Sequence, residues 1–177
     1  NVASEYGGGI YIENGDSNDS DLIIDNVYFS SNSAAQSGGL YLRGNGGNPH
    51  HSNFYITNCK FIGNITTGSY SAARIEASAN NVLVDNSIFL NNQSYSVTIM
   101  FEAFNPFHEY QHIIKNSVIM DNIATSLLWN GSIINTSFGN NLALLNSIVY
   151  NNISPNPTLD VLYVTNSLIQ DINFQEA

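Results

Sequence analysis

The sequence predicts an all-β fold, a right-handed parallel β-helix of about six coils with three parallel sheets. Three observations carry this. An eight-residue frame recurs, as DNVYFSSN at Asp25, TNCKFIGN at Thr57, DNSIFLNN at Asp85, KNSVIMDN at Lys115 and LNSIVYNN at Leu145. Its first asparagine falls at positions 26, 58, 86, 116, 146 and, in a decayed copy, 166, giving steps of 32, 28, 30, 30 and 20. Aligned on that asparagine, the apolar positions keep a spacing of two, the period of a strand.

Each strand follows from its column. Two residues before the asparagine stand Ile24, Ile56, Val84, Ile114, Leu144 and Val164; four before it stand Leu22, Phe54, Val82, His112, Leu142 and Leu162. Three after it stand Phe29, Phe61, Phe89, Ile119, Val149 and Ile169. β-branched and aromatic residues fill these columns, and no stretch keeps the 3.6-residue stripe of an amphipathic helix. A third apolar segment recurs as Ile10–Ile12, Leu40–Leu42, Ala73–Ile75, Ile99–Phe101 and Leu127–Trp129. A chain that makes three short strands per turn and returns one strand spacing further on stacks three sheets around an apolar core. The hand usual for such crossovers is right.

The repeated asparagines, Asn26, Asn58, Asn86, Asn116, Asn146 and Asn166, fall where the chain must bend between strands. Asparagine tolerates left-handed backbone angles, and amides stacked in register can bond from coil to coil as a ladder. A second column, at positions 32, 64, 92, 122 and 152, is expected to do the same at the next corner. The last period is shorter and contains SPNPT, so residues 153–177 read as a terminal shortened coil of a single domain spanning 1–177. The opening NVASEYGGGIYI reads as mid-repeat, which suggests a piece of a longer protein.

Composition narrows function. Charged residues make up 10% and hydrophobic residues 43%, with a net charge of -10 and four cations. Nucleic-acid binding needs clustered lysine and arginine and is not expected. No apolar run approaches the roughly 20 residues that span a bilayer, so direct membrane insertion is not expected. Cys59, the one cysteine, shares its column with Val27, Ser87, Ser117, Ser147 and Ser167, and reads as a small buried side chain.

The repeats resemble those of right-handed parallel β-helix proteins of the pectate-lyase-like superfamily. GGGIYI, LIIDNVYFSSNSA, GGLYL and LLNSIVYNNIS are closer still to the N-x-x-F-x-x-N and GGAIY-type units of large secreted bacterial surface proteins and polymorphic outer-membrane proteins. The resemblance implies an extracellular or cell-surface location and either an adhesive, structural role or a polysaccharide lyase or glycoside hydrolase activity. Fold alone does not choose between them.

Function is expected where copies differ. The excursion Gly15–Asp21 holds Asp16, Asn18, Asp19 and Asp21, hard oxygen donors that could bind calcium, though a solvated turn explains them as well. Phe101, Phe104, Phe107 and Tyr110, with Tyr95 and Trp129, form a candidate patch for a glycan or a surface protein, because flat rings suit sugar faces. HEYQH, His108 to His112, matches a zinc-protease pattern, but it lies in a loop leading to a strand rather than on a helix. Lyases of this fold need a basic residue beside an acidic cluster, and hydrolases need paired carboxylates. No column shows two or three carboxylates converging, so no catalytic residue is assigned. Asp85 and Lys115 are expected to pair across adjacent coils.

Overall fold

The computed structural model describes residues 1–13, 21–43, 53–68, 72–76, 81–102, 111–126, 133–136, 141–155 and 163–170. Among them every element is a strand, every pairing is parallel, and the strands stack as a β-solenoid. Sheet 1 holds Ile10–Glu13, Leu40–Arg43, Ala73–Glu76, Ile99–Glu102 and Ile134–Thr136, in that order. Sheet 2 holds Leu22–Asp25, Phe54–Thr57, Val82–Asp85, Gln111–Lys115, Asn141–Leu145 and Tyr163–Thr165. Sheet 3 holds Tyr28–Ser30, Lys60–Ile62, Ile88–Leu90, Val118–Met120, Ile148–Tyr150 and Leu168–Ile169. A fourth, narrow sheet holds Ser33–Ala34, Ile65–Thr66, Gln93–Ser94 and Ile123–Ala124. Three sheets were expected; the fourth has two-residue strands, too short to show a period of two in sequence.

The predicted columns are the registers. Leu22 pairs with Phe54, Phe54 with Val82, Val82 with His112 and His112 with Leu142. Phe29, Phe61, Phe89, Ile119 and Val149 point inward from sheet 3 and are at most 2% exposed. Phe29, Phe61 and Phe89 stack with ring centroids 4.5 Å apart and planes within 6°. Identical residues one strand spacing apart can only stack face to face, so the offset-parallel geometry follows from the repeat itself.

Sheet 1 corrects one expectation. The strand paired with Ile99–Phe101 is Ile134–Thr136, with Ile99 opposite Ile134, and not the segment at Leu127–Trp129, which lies outside the described residues. The glycines ahead of this sheet let adjacent coils touch. A Cβ at Gly38 would sit 2.4 Å from the Ile65 carbonyl oxygen, and one at Gly8 2.5 Å from that of Gly38. Only glycine leaves room for backbones that close.

The two asparagine columns turn out to differ. Asn26, Asn58, Asn86, Asn116, Asn146 and Asn166 have φ between 47° and 56°, the left-handed region. All six are exposed, and the four from Asn58 to Asn146 bond to the preceding coil, Asn86 to Asn58 and Asn146 to Asn116 at 2.7 Å. Asn58 and Asn116 instead donate to Asp25 and Asp85. In the second column, Asn32, Asn64, Asn92, Asn122 and Asn152 are buried. There the left-handed residue is the one before, Ser31, Gly63, Asn91, Asp121 and Asn151.

Between the columns runs a third ladder. The backbone N–H of Ser87 donates to the Ser117 hydroxyl, Ser117 to Ser147 and Ser147 to Ser167, each at 3.0–3.1 Å. Cys59 opens this series by donating its N–H to Ser87, and its buried thiol lies 3.1 Å from the Thr57 carbonyl. Burial pushes the Cys59 thiol up, away from the thiolate that a nucleophile needs.

Candidate functional site

The described residues gather their densest chemistry on the outer face of sheet 1. In register, Tyr11 stands beside Tyr41 and Tyr41 beside Arg74; one pleat along the same face, Glu13 stands beside Arg43 and Arg43 beside Glu76. Glu102 is the next register position after Glu76. One column therefore carries three glutamates and an arginine, which overturns the expectation that no column brings carboxylates together. The sequence hides it because loops of unequal length separate sheet 1 from the asparagine frame, so counting from that frame slips the register.

The geometry builds outward from Glu76. Its carboxylate is buried, accepts a short hydrogen bond from the Tyr41 hydroxyl, and lies 2.5 Å from one Arg74 nitrogen and 3.4 Å from the Arg43 Nε. A buried carboxylate without partners would be strongly unfavourable; two guanidinium groups and a phenol satisfy this one. Arg43 continues to Glu13 at 3.3 Å, and Glu13 accepts from the Tyr11 hydroxyl at 2.9 Å. Arg74 is anchored from the far side by Gln36, at 3.1 Å, and its guanidinium lies 5.0 Å from the Tyr41 ring centroid. Tyr6 stacks on Tyr11 at 5.3 Å and 21°, and both rings tilt against Tyr41 at 5.5 and 5.2 Å.

The electrostatics follow from burial and pairing. Desolvation, reinforced by Glu76, pushes the Tyr41 phenol far above its ordinary range, so it stays a donor. Tyr11 is raised by burial and by Glu13. Arg43 is raised by its contact with Tyr11 and by the Glu76 carboxylate. The inner groups, Tyr41, Arg74 and Glu76, are buried and fixed, while Tyr6, Tyr11, Glu13 and Arg43 reach solvent. The result is a rigid platform with two stacked rings and an exposed carboxylate–guanidinium pair at its edge.

The residues singled out from sequence are placed differently. Phe101 is fully enclosed, so it belongs to the core and not to a surface patch: it lies in the same inward column as Leu42 and Ile75. Tyr95 is 40% exposed. Phe104, Phe107, Tyr110 and Trp129 lie outside the described residues, as do Asp16, Asn18, Asp19 and His108. Asp21 is exposed and accepts from the backbone and side chain of Asn53, at 2.9 and 3.1 Å, which ties one coil to the next. His112 faces the core, with its ring 5.2 Å from that of Phe101. Among the described residues neither of its ring nitrogens has a partner, and burial lowers its pKa to about 4. Lys115 and Asp85 pair at 3.1 Å, as the columns predict.

No family model, characterised protein or solved structure matches this chain. What can be said of its class is the parallel β-solenoid with side-chain ladders described above.

Proposed function

We propose that the chain is a structural and adhesive β-helix segment of a secreted bacterial cell-surface protein, and that it holds a glycan or a partner protein on the platform of sheet 1. The repeat units that resemble those of secreted surface proteins and polymorphic outer-membrane proteins support the setting. The observation that carries the contact role is the pair of exposed, stacked rings, Tyr6 and Tyr11, beside the Glu13–Arg43 pair. Rings offer a flat apolar face to a sugar, and the paired carboxylate and guanidinium accept from and donate to its hydroxyls. Because Glu76, Arg74 and Tyr41 lock the platform from behind, little ordering entropy opposes binding.

The test is a glycan array followed by titration calorimetry with the best-bound glycan. Tyr11→Ala and Arg43→Ala should each weaken binding at least tenfold, while a substitution at the exposed Ile153 should not. Equal binding by all variants would remove the platform from the account.

One observation favours a second reading, a carbohydrate-active enzyme of the pectate-lyase-like superfamily: Glu13, Arg43, Glu76 and Glu102 share a register column. Paired carboxylates are the equipment of a glycoside hydrolase. Against it stands the binding of Glu76 by two guanidinium groups and Tyr41, which leaves it no free position from which to transfer a proton. Release of new reducing ends from the bound glycan, abolished by Glu13→Gln, would favour the enzyme; binding without turnover would favour the adhesive segment. A calcium role for the Gly15–Asp21 excursion stays a subsidiary proposal, checked by whether chelation changes glycan affinity.

A further inference from the structure

The inner asparagine column carries a second pattern. Asn64-Ile65-Thr66, Asn92-Gln93-Ser94 and Asn152-Ile153-Ser154 each match N-x-S/T, the acceptor signal for asparagine-linked glycosylation. The fold explains the recurrence without any glycan. Strands of the fourth sheet start one residue after Asn32, Asn64, Asn92 and Asn122, so the next residue points outward and the one after it inward. The inward residues are small, Ala34, Thr66, Ser94 and Ala124, each at most 4% exposed. A ladder asparagine followed by such a residue becomes an acceptor signal whenever the small residue carries a hydroxyl.

The groups that a transferase needs are already engaged. Asn64 Nδ2 donates to Asn92 Oδ1 at 3.0 Å and to the Phe29 carbonyl at 2.9 Å. Asn92 Nδ2 donates to Asn122 Oδ1 at 2.9 Å and to the Phe61 carbonyl at 2.8 Å. Asn152 Nδ2 donates to the carbonyls of Ile119 and Tyr150, at 2.9 and 3.0 Å. All three asparagines are at most 5% exposed. The Thr66 hydroxyl accepts from the Gly38 N–H at 3.0 Å, and the Ser94 hydroxyl donates to the Ile123 carbonyl at 3.4 Å.

We infer that asparagine-linked glycosylation and this fold exclude one another, so that the chain folds only where no oligosaccharyltransferase meets it unfolded. The transfer joins the asparagine Nδ2 to the anomeric carbon of a lipid-diphosphate-linked glycan, releases the lipid diphosphate and gives up one amide proton. At Asn64, Asn92 and Asn152 both amide protons are in use, so the transfer removes a bond from the buried corner. It also sets a sugar where the acceptor oxygen now lies, which leaves that oxygen without a partner and holds the coil open. The unfolded chain offers the same three amides freely. The consequence concerns where the chain is made, and the platform of sheet 1 has no part in it.

Translation of the full chain, behind a cleavable signal sequence, into microsomes tests this. Wild-type chain should carry glycans at Asn64, Asn92 and Asn152 by mass spectrometry. Protease should cut it about tenfold faster than chain made with the lipid-linked donor blocked. Thr66→Ala, Ser94→Ala and Ser154→Ala together remove the three acceptor signals, and Ala34 and Ala124 show that the fourth sheet admits alanine. This triple variant should resist protease equally with and without the donor. Wild-type chain that resists protease with the three sites occupied, or that leaves them empty, overturns the inference. A triple variant that becomes sensitive only with the donor present overturns it too, because the block then lies at other acceptor signals. Folded wild-type chain offered to the transferase and its donor gives a reading that needs no variant: it should stay unmodified at the three sites, and glycan there overturns the inference.

Discussion

Two columns of asparagine run the length of the solenoid, six residues apart in sequence, and they solve different problems. The outer column, Asn26 to Asn166, supplies backbone conformation: every member is left-handed, and from Asn58 to Asn146 the amide bonds at the surface to whichever oxygen the previous coil offers, Asp25, Asn58, Asp85 or Asn116. The inner column supplies side-chain chemistry. From Asn64 to Asn152 each Oδ1 accepts from the backbone N–H and the Nδ2 of the preceding asparagine, and each Nδ2 also reaches a core carbonyl. A buried amide has to satisfy every polar atom, whereas an exposed amide can use water. One residue type repeated at two corners therefore carries two very different energies.

The sharpest way to break the comparison is to delete one rung of the inner ladder. Asn92 accepts from Asn64 N–H at 2.9 Å and from Asn64 Nδ2 at 3.0 Å, and donates to Asn122 Oδ1 at 2.9 Å and to the Phe61 carbonyl at 2.8 Å. Asn92→Ala removes these four bonds and strands the Asn64 N–H and one proton of its Nδ2, while Asn64 Nδ2 keeps the Phe29 carbonyl and Asn122 Oδ1 keeps the backbone N–H of residue 92. At about 1–3 kcal/mol per unsatisfied buried group, with partial relaxation, the loss should be about 4 kcal/mol. Urea unfolding measures it. A loss below that of a surface substitution would mean that water enters the corner and the ladder is not a dry one.

His112 gives the complementary case, a buried polar side chain with no ladder to join. It occupies an apolar column between Val82 and Leu142, and among the described residues neither ring nitrogen has a partner. Burial holds it neutral by lowering its pKa to about 4 from the ordinary 6.5. The unfolded chain therefore takes up a proton between these values and the folded chain does not. Its contribution to stability is complete above pH 6.5, falls as pH drops to about 4, and is then lost by about 3 kcal/mol. His112→Leu should flatten that part of the stability-versus-pH curve and raise stability at neutral pH by about 1–2 kcal/mol. A pH profile that His112→Leu leaves unchanged would show that the ring finds a partner in solution.

The same contrast explains what the sequence makes legible. Sheets 2 and 3 sit within five residues of the outer asparagine, so the frame carries their register without error, down to the Asp85–Lys115 pair. The inward Phe column and the core position of His112 follow from the same count. Sheet 1 is reached across loops of variable length, and register is lost there. That loss is why Leu127–Trp129 is exchanged for Ile134–Thr136 and why the Glu13–Arg43–Glu76 column stays hidden. One signal was available: aligning GGGIYIE with GGLYLR on their glycines sets Glu13 beside Arg43, and aligning ARIE on its inward Ile75 adds Glu76. The division of labour between the asparagine columns is not legible at all, because both corners show the same residue and only φ and burial separate them.

The smallest effect belongs to the outer column and is the finest probe of its role. Asn86 has φ of 47° and donates to Asn58 at 2.7 Å across the surface. Two substitutions separate the backbone from the amide. Asn86→Gly keeps the left-handed conformation and deletes the side-chain bond, which water replaces at an exposed site, so stability should change by less than about 0.5 kcal/mol. Asn86→Ala deletes the same bond and adds the strain of a Cβ in the left-handed region, about 1–2 kcal/mol. Chemical unfolding of the pair therefore reads the backbone term by difference. Equal losses in Asn86→Gly and Asn86→Ala would assign the outer column a genuine side-chain ladder, and the distinction between the two columns would fail at the corner that repeats most faithfully in the sequence.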